Sequence, residues 1–256
     1  MNTFLAYLKK ERMEQLRTSR FMVLMILFLL FGIMNPAIAK LTPWMLEALS
    51  GQLAESGMTI AKVTVDALTS WAQFYKNIPM ALIIFVLMTS SAFTAEYQKG
   101  TLVLVLTKGL QRGKVLAAKA LTMLLLWTAG YALCTLVTYG YTGFFWDNGA
   151  ARHLWLGALL YWLFGVWVIS SVVLFSTVAS AGTGVLLGTG GTIAVSYLLG
   201  VIPGVGNYLP LALSDSMPLL TGAVLPHSMT GAILVTCGLI VLQGLIAALA
   251  FRKRSI

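Results

Sequence analysis

Long apolar runs alternate with shorter polar stretches along the chain, and six of these runs predict membrane-spanning helices. Each run is close to the roughly 20 residues that a helix needs to cross a bilayer, and none has a charged residue well inside it. The predicted spans are residues 21–39, 78–95, 120–141, 154–178, 184–201 and 230–251. The first run is longer than the apolar region of a cleaved signal peptide, so we expect it to remain as span one. The pattern predicts an all-α membrane protein that forms a single transmembrane domain.

The first 20 residues predict an amphipathic helix outside the spans. Apolar Phe4, Leu5 and Leu8 alternate with basic residues such as Arg12. A helix of this kind lies in the membrane interface, where its apolar side chains contact lipid and its basic side chains attract anionic headgroups. We therefore expect residues 1–20 to form an interfacial helix along the cytoplasmic leaflet.

The loop between spans one and two predicts a second amphipathic helix. A helix-start signal stands at Thr42 and Pro43, and residues 60–75 place most of their apolar side chains on one face. This helix either lies on the outer membrane interface or forms a lid packed on other outer loops. The pattern fits both arrangements.

A short apolar run stands in the polar loop between spans two and three. Residues 96–114 read EYQKGTLVLVLTKGLQRGK. We expect Gly100 to end the helix that leaves span two, and Thr101 to cap a short new helix on which Leu102 and Leu106 share one face. That helix either inserts into a groove on a partner protein or is a connector folded back under the bundle, and periodicity favours neither. A β-strand ranks third, because its edges would have no partner.

The segment between spans five and six is broken by prolines. Four of them fall between residues 203 and 226, which forbids one continuous helix, although the segment stays apolar apart from Asp215. We predict helical pieces that dip into the outer leaflet and cap a path through the protein. Non-helical backbone at that depth is tolerated only where protein buries it.

Composition and charge fix the class and the orientation. The chain is 59% hydrophobic and 10% charged, whereas a soluble domain carries about 25% charged residues. Six spans put both termini on one side, and that side collects most of the 17 lysines and arginines. The positive-inside rule makes it cytoplasmic. The net charge of +9 therefore reflects topology and attraction to membrane lipids, and we expect no nucleic-acid partner.

Catalytic and nucleotide-binding motifs are not recognisable in the sequence. The run GLQRGK, residues 109–114, has the wrong glycine spacing for a phosphate loop, and Val115 replaces the Ser or Thr that binds magnesium. The glycine-rich run 182–191 misses the dinucleotide-binding spacing and favours close contact between helices. Both histidines fall in outer loops and both cysteines fall inside spans. We therefore predict no catalytic residues, no metal site and no disulfide.

The spans also lack the buried ionisable residues that proton- or sodium-coupled transporters keep near the bilayer midplane. Glu96 and Lys119 lie only at the predicted cytoplasmic ends of spans two and three. Any energy for transport is thus expected to arrive from another protein through the cytoplasmic face.

Residues 96–119 resemble the first cytoplasmic loop of ABC-2 type permeases, the membrane subunits of type V ATP-binding cassette exporters. That loop typically has a Glu, then Gly-Thr-Leu, a leucine-rich turn, an Arg, and a later Lys at the start of span three. The family often has a proline where this chain has Gly109. The overall layout is similar as well, with an N-terminal amphipathic helix, six spans and a proline-broken outer segment before span six. The matching residues are Glu96, Gly100, Thr101, Leu102, Leu106, Arg112 and Lys119.

The resemblance implies a permease subunit in the bacterial inner (plasma) membrane that pairs with a second permease, identical or related. It implies that each permease contacts a separate ABC ATPase subunit through a short cytoplasmic coupling helix, with Glu96, Gly100, Thr101, Leu102, Leu106 and Arg112 as coupling residues. Glu96 is expected to pair with a basic residue on that ATPase or on the N-terminal helix. ATP and Mg would be cofactors of the partner, so this chain is not expected to be an enzyme. Export of an amphipathic peptide, drug or lipid-like substrate is expected.

Two alternatives remain open from the residues alone. The first is a membrane scaffold or sensor subunit without a transport path of its own. The second is an intramembrane enzyme, which the lack of convergent polar residues in the spans disfavours. The side chains Trp162, Trp167 and Tyr197 are candidates for the lining of an apolar path, although Trp and Tyr also populate membrane interfaces for other reasons.

Overall fold

A computed structural model describes residues 3–55, 64–98, 100, 102, 107 and 111–254. Within these residues the regular secondary structure is helical, with no strand. The helices are α1 (Thr3–Arg17), α2 (Arg20–Glu55), α3 (Ala67–Thr89), α4 (Ser91–Gln98), α5 (Arg112–Phe145), α6 (Leu154–Val178), α7 (Gly182–Gly200), the single turn α8 (Met217–Leu220) and α9 (Thr230–Lys253).

The described residues contain six helical segments that are long and apolar enough to cross a membrane, so the predicted all-α architecture with six spans is confirmed. They are Arg20–Met45, Ala67–Gln98, Arg112–Phe145, Leu154–Val178, Gly182–Gly200 and Pro226–Lys253. The fourth span has the bounds expected from the sequence. Span three is longer than expected, because α5 begins at Arg112 within the polar loop.

Span four, formed by α6, lies at the centre of the bundle. In its most apolar stretch 61% of the residues are buried, against 17% in span five. A row of aromatic rings crosses the interior beside it, with ring centroids 5.2 Å apart between Trp127 and Tyr131 and 5.9 Å apart between Tyr131 and Tyr161. Gly165 of α6 is required for this contact, because a Cβ there would overlap the Trp127 ring.

Helix α2 continues through two prolines, so the helix start predicted at Thr42 and Pro43 is wrong. Pro36 has no N–H to donate to the carbonyl of Gly32. The Thr138 hydroxyl of α5 donates to that carbonyl instead, at 3.1 Å. The helix is therefore stabilised by its neighbour at the point where its own backbone bond is missing. The start signal failed because proline at the first turn and proline inside a packed helix look alike in sequence.

Helix α3 begins at Ala67, before the predicted start of span two at residue 78, and continues across Pro79. Asp66 caps it, accepting from the backbone N–H of Thr69 at 2.8 Å. Residues 56–63, which include the start of the predicted amphipathic stretch 60–75, lie outside the described residues. The part from Ala67 onward buries Trp71 and Phe74 completely, and the Trp71 indole donates to the Asn148 side chain at 3.1 Å. This described part is packed within the protein, as in the lid alternative.

The proline-rich segment before α9 forms short pieces. Pro210, Pro218 and Pro226 each stand in the first turn of a short 3₁₀ or α-helical piece, where a missing N–H has no cost. Leu213 and Leu220 are fully buried, so these pieces pack onto the bundle. Their depth in the outer leaflet stays a prediction.

Candidate functional site

A buried ion-pair cluster joins α1, α4 and α5 at the end of the bundle that carries both termini, called here the termini end. The Nζ of Lys119 lies 3.1 Å from a carboxylate oxygen of Glu11 and 3.1 Å from one of Glu96. The three side chains are 4%, 5% and 11% exposed respectively. Because a buried charge is tolerated only when paired, this cluster holds the N-terminal helix against spans two and three.

Lys10 extends the cluster to the surface. Its Nζ lies 3.3 Å from Glu96, 3.4 Å from Glu11 and 3.3 Å from Glu14. Burial alone would lower the pKa of Lys10, but these carboxylates outweigh it and raise the pKa. The carboxylates of Glu11, Glu14 and Glu96 already have cationic partners in Lys10 and Lys119. The arrangement is therefore better suited to joining helices than to holding a metal.

The side chain of Tyr7 completes the packing of α1 on this cluster. Tyr7 is 6% exposed, and the Nζ of Lys10 lies 5.2 Å from the centroid of its ring. Burial, reinforced by the neighbouring Glu11 and Glu96, raises the pKa of the Tyr7 phenol well above its usual range. Tyr7 therefore stays neutral at physiological pH.

Two arginines cap helices at the same end. Arg112, at the start of α5, donates to the carbonyls of Phe251 at 3.2 Å and Arg252 at 3.4 Å, and to that of Arg254. These three carbonyls stand at the C-terminal end of α9, so Arg112 caps that helix. Arg254 in turn donates to the carbonyls of Thr177 at 2.8 Å and Ala179 at 3.0 Å, at the end of α6. Positive charge at a helix C-terminus is favourable for both helices.

Helix α4 is part of the same assembly. The guanidinium of Arg254 lies 4.1 Å from the centroid of the Tyr97 ring, and the Gln98 amide donates to the carbonyl of Ser180 at 3.4 Å. Both sides of the loop between spans two and three are thus attached to other spans. Helix α4 precedes the loop and contacts α1, α7 and the end of α9, while α5 follows it and contacts α1 and α9.

The residues that the resemblance assigns to ATPase coupling lie in different environments in the structure. Helix α4 ends at Gln98 and Gly100 has φ +66°, so the predicted break at Gly100 is observed. Leu102 is helical and only 1% exposed, as part of the protein's own core. Thr101 and Leu106 lie outside the described residues.

The remaining two coupling residues, Glu96 and Arg112, make contacts within the chain. The sequence left two locations open for a basic partner of Glu96, the N-terminal helix and the ATPase, and Lys10 of α1 is such a partner. Leu102 packs as expected for a connector folded under the bundle. The role of Leu106 in docking stays a prediction.

Helix α1 has the two faces expected of an interfacial helix. Phe4 and Leu8 are partly buried against the core, whereas Leu5 is 57% exposed. Arg12, two turns further along, is exposed on the same side as Leu5. The exposed face thus combines apolar and basic side chains, as contact with an anionic membrane surface requires.

A cavity of about 380 Å³ lies between three candidate spans, formed by α3, α6 and α7, and the 210–213 piece. Its walls are apolar, and two buried hydroxyls, those of Tyr161 and Thr189, belong to lining residues and have no hydrogen-bond partner among the described residues. The three aromatic candidates from the sequence do not meet there. Trp162 faces a different groove, Trp167 is buried and Tyr197 is 65% exposed.

The chain matches the model of a family described as ABC-2 family transporter protein over residues 5–220. It is a member of the ABC-2 transporter family. The match spans α1, the ion-pair cluster, the first five spans and the broken outer segment as far as α8. The protein is therefore a transport subunit of the permease type in a membrane, and its family normally works with an ABC ATPase. A comparison with curated proteins gave no match.

Sequence reasoning missed most of the cluster. Lys119 was noted only as a residue at the end of span three and as a match to the ABC-2 loop. Glu11 was not singled out, although a Glu on the inner face of an amphipathic helix is unusual enough to be a signal. The caps were missed because the acceptors of Arg112 and Arg254 are backbone carbonyls, which every residue carries.

Proposed function

We propose that this permease couples ATP hydrolysis in a separate ABC ATPase subunit to the export of an amphipathic substrate, through the loop at residues 99–111. The observation that carries the proposal is the attachment of both sides of this loop to several spans, in a chain whose family is established. A push on the loop would act on α4 and α5 together. Through Lys119, Arg112 and Arg254 it would reach α1, α6 and α9.

Rigid helices and buried charge pairs favour such transmission, because they do not deform independently of one another. The Lys119 cluster is buried, so separating its members would leave unpaired charges in the interior. The helices it joins therefore move as a unit. We propose that this unit shifts when the ATPase subunits close, and that a second permease provides the other half of the path.

The apolar cavity supports an amphipathic substrate, because its walls offer a surface for hydrocarbon and carry no formal charge. A small inorganic ion would instead need a cage of polar ligands. The alternative of a scaffold or sensor subunit predicts that substrate does not alter ATP hydrolysis by the partner.

Leu106→Asp tests the docking step. A carboxylate placed in an apolar groove without a partner costs several kcal/mol, so we expect normal amounts of protein in the membrane with loss of the bound ATPase. The measurement is pull-down of the partner ABC ATPase, which we expect to be encoded beside this gene, by the detergent-solubilised permease. ATP hydrolysis is measured in liposomes with and without substrate.

Gln111→Glu is the matched control, because it adds the same charge to the same loop at an exposed polar position. It should retain the ATPase. Full binding and full substrate stimulation in Leu106→Asp would show that the loop does not dock through this side chain. Stable binding in the wild type with no substrate stimulation would favour the scaffold alternative.

A further inference from the structure

A groove of about 420 Å³ runs between α1 and α5 at the termini end. Helix α1 contributes Arg12, Gln15 and Leu16 to its walls, and α5 contributes Leu125, Leu126 and Ala129. From Thr122 to Ala129 the α5 wall extends for about 10 Å along the helix axis, at roughly 1.5 Å per residue. Because α5 is a candidate span and α1 lies beside its end, the groove leads from the headgroup region into the hydrocarbon.

The groove opens toward the membrane. Leu16 and Leu125, on opposite walls, are 59% and 48% exposed, while Leu126 between them is 7% exposed and forms the floor. The two helices are joined to the bundle by the Lys119 cluster, and a two-residue turn at Thr18 and Ser19 connects α1 to α2. These attachments fix the separation of the two walls.

The groove has a positive mouth and no competing anion. Arg12 makes no ion pair or hydrogen bond with any part of the chain that the structure describes. The nearby carboxylates are already engaged, Glu11 by Lys119 at 3.1 Å and Glu14 by Lys10 at 3.3 Å. A phosphate at the mouth would thus meet an available guanidinium, which binds phosphate oxygens in a bidentate manner.

We propose that this groove binds one anionic phospholipid of the adjacent leaflet, with the phosphate at Arg12 and an acyl chain along Leu125, Leu126 and Ala129. The charge of Arg12 selects the headgroup, and the apolar wall of α5 takes the chain. The lipid fills the space between the N-terminal helix and span three. This site does not depend on the proposed ATPase coupling, since it needs no partner subunit.

The test is native mass spectrometry of the purified permease, released from detergent after incubation with phosphatidylglycerol or with phosphatidylcholine of the same acyl chains. The wild type should retain phosphatidylglycerol in preference to phosphatidylcholine. Arg12→Gln should reduce phosphatidylglycerol retention about fivefold, which corresponds to the usual contribution of one basic residue near an anionic lipid. Ala129→Phe, which fills the exposed groove, should reduce retention of both lipids.

Arg17→Gln is the matched control, because Arg17 is an exposed arginine of the same helix outside the groove. It should change retention by less than about twofold, since the charge it removes lies away from the bound phosphate. Equal losses in Arg12→Gln and Arg17→Gln would show diffuse attraction without a site and would overturn the proposal. Equal retention of the two lipids by the wild type, or unchanged retention in Ala129→Phe, would also overturn the proposal. Conversion of a dimer to a monomer in Ala129→Phe would overturn it as well, because the groove would then be assigned to a second copy of the chain. Elution of each variant at the wild-type volume on gel filtration verifies that it is folded.

Discussion

A threonine at a contact between two helices replaces a backbone hydrogen bond that a proline removes. Thr138 donates to Gly32, whose carbonyl has lost its partner because of Pro36. Asn35 donates to the Thr138 hydroxyl at 3.4 Å and accepts from the Asn77 amide at 3.0 Å. Spans one, two and three are thereby joined by a polar chain within an apolar bundle. Such bonds matter because lipid offers no alternative partner.

Thr138→Val should destabilise the permease by about 1 to 3 kcal/mol, since it leaves a buried carbonyl without a donor. The loss should be smaller in a Pro36→Ala background, because the alanine restores a backbone N–H that donates to Gly32. The measurement is thermal unfolding of the four members of the double-mutant cycle in detergent.

Thr236→Val serves as control for this cycle. Thr236 is also completely buried, but its hydroxyl donates to the Ala232 carbonyl of its own helix, which keeps its backbone bond. Its replacement should have a smaller effect than Thr138→Val. Additive effects of Pro36→Ala and Thr138→Val would mean that the hydroxyl does not compensate for the proline.

At the scale of single residues, the sequence indicates the chemistry of a side chain but not its partner. Glu96 and Arg112 were singled out as polar residues of the loop and its borders. Their contacts with Lys119 and with the end of α9 depend on which helices are neighbours, and neighbours are a property of the fold. Leu102 shows the same limit, because periodicity places it on an apolar face without showing which surface covers that face.

At the scale of elements, the ends of α6 and α9 are held by arginines from elsewhere in the chain. The last carbonyls of a helix have no partner within it, so caps of this kind determine how firmly the end is held. Arg254 joins three elements, because it caps α6, belongs to the end of α9 and lies over the Tyr97 ring of α4.

Arg254→Gln should loosen the end of α6 and release α4, because a neutral amide satisfies fewer carbonyls and has no attraction to the Tyr97 ring. Hydrogen–deuterium exchange should increase in the last turn of α6 and in α4, while the centre of α6 stays protected. Arg252→Gln is the control, since Arg252 is exposed at the same helix end. Equal exchange in both variants would mean that the cap does not hold these elements together.

Hydropathy was sufficient to predict that the spans exist, but it predicts their bounds only where polar residues end the apolar run. Span four is bounded by loops and has the expected bounds. Helix α5 extends into polar sequence because Arg112 and Lys119 find partners there. Helix α2 passes Pro36 because α5 supplies a donor. Both extensions depend on tertiary contacts, which a local pattern does not contain.

At the scale of the whole molecule, the termini end combines the N-terminal helix, both sides of the loop and the ends of spans four and six. The opposite end is closed by short proline-started pieces packed on the spans. A force applied to the loop at residues 99–111 thus has a path into most of the bundle. The central claim is that an ABC ATPase binds at this loop.

Site-specific cross-linking tests that claim most directly. Thr107 is exposed in the loop, and Tyr208 is 58% exposed in the proline-rich segment before α9. In a Cys237→Ser background, which removes the exposed native cysteine, Thr107→Cys and Tyr208→Cys are each labelled with a maleimide that carries a benzophenone. The benzophenone is then photoactivated in membranes that also contain the ATPase, where it reacts with C–H bonds of any neighbouring residue. The account predicts a permease–ATPase cross-link from Thr107→Cys and none from Tyr208→Cys. Absence of the Thr107→Cys product, or equal products from both positions, would contradict it.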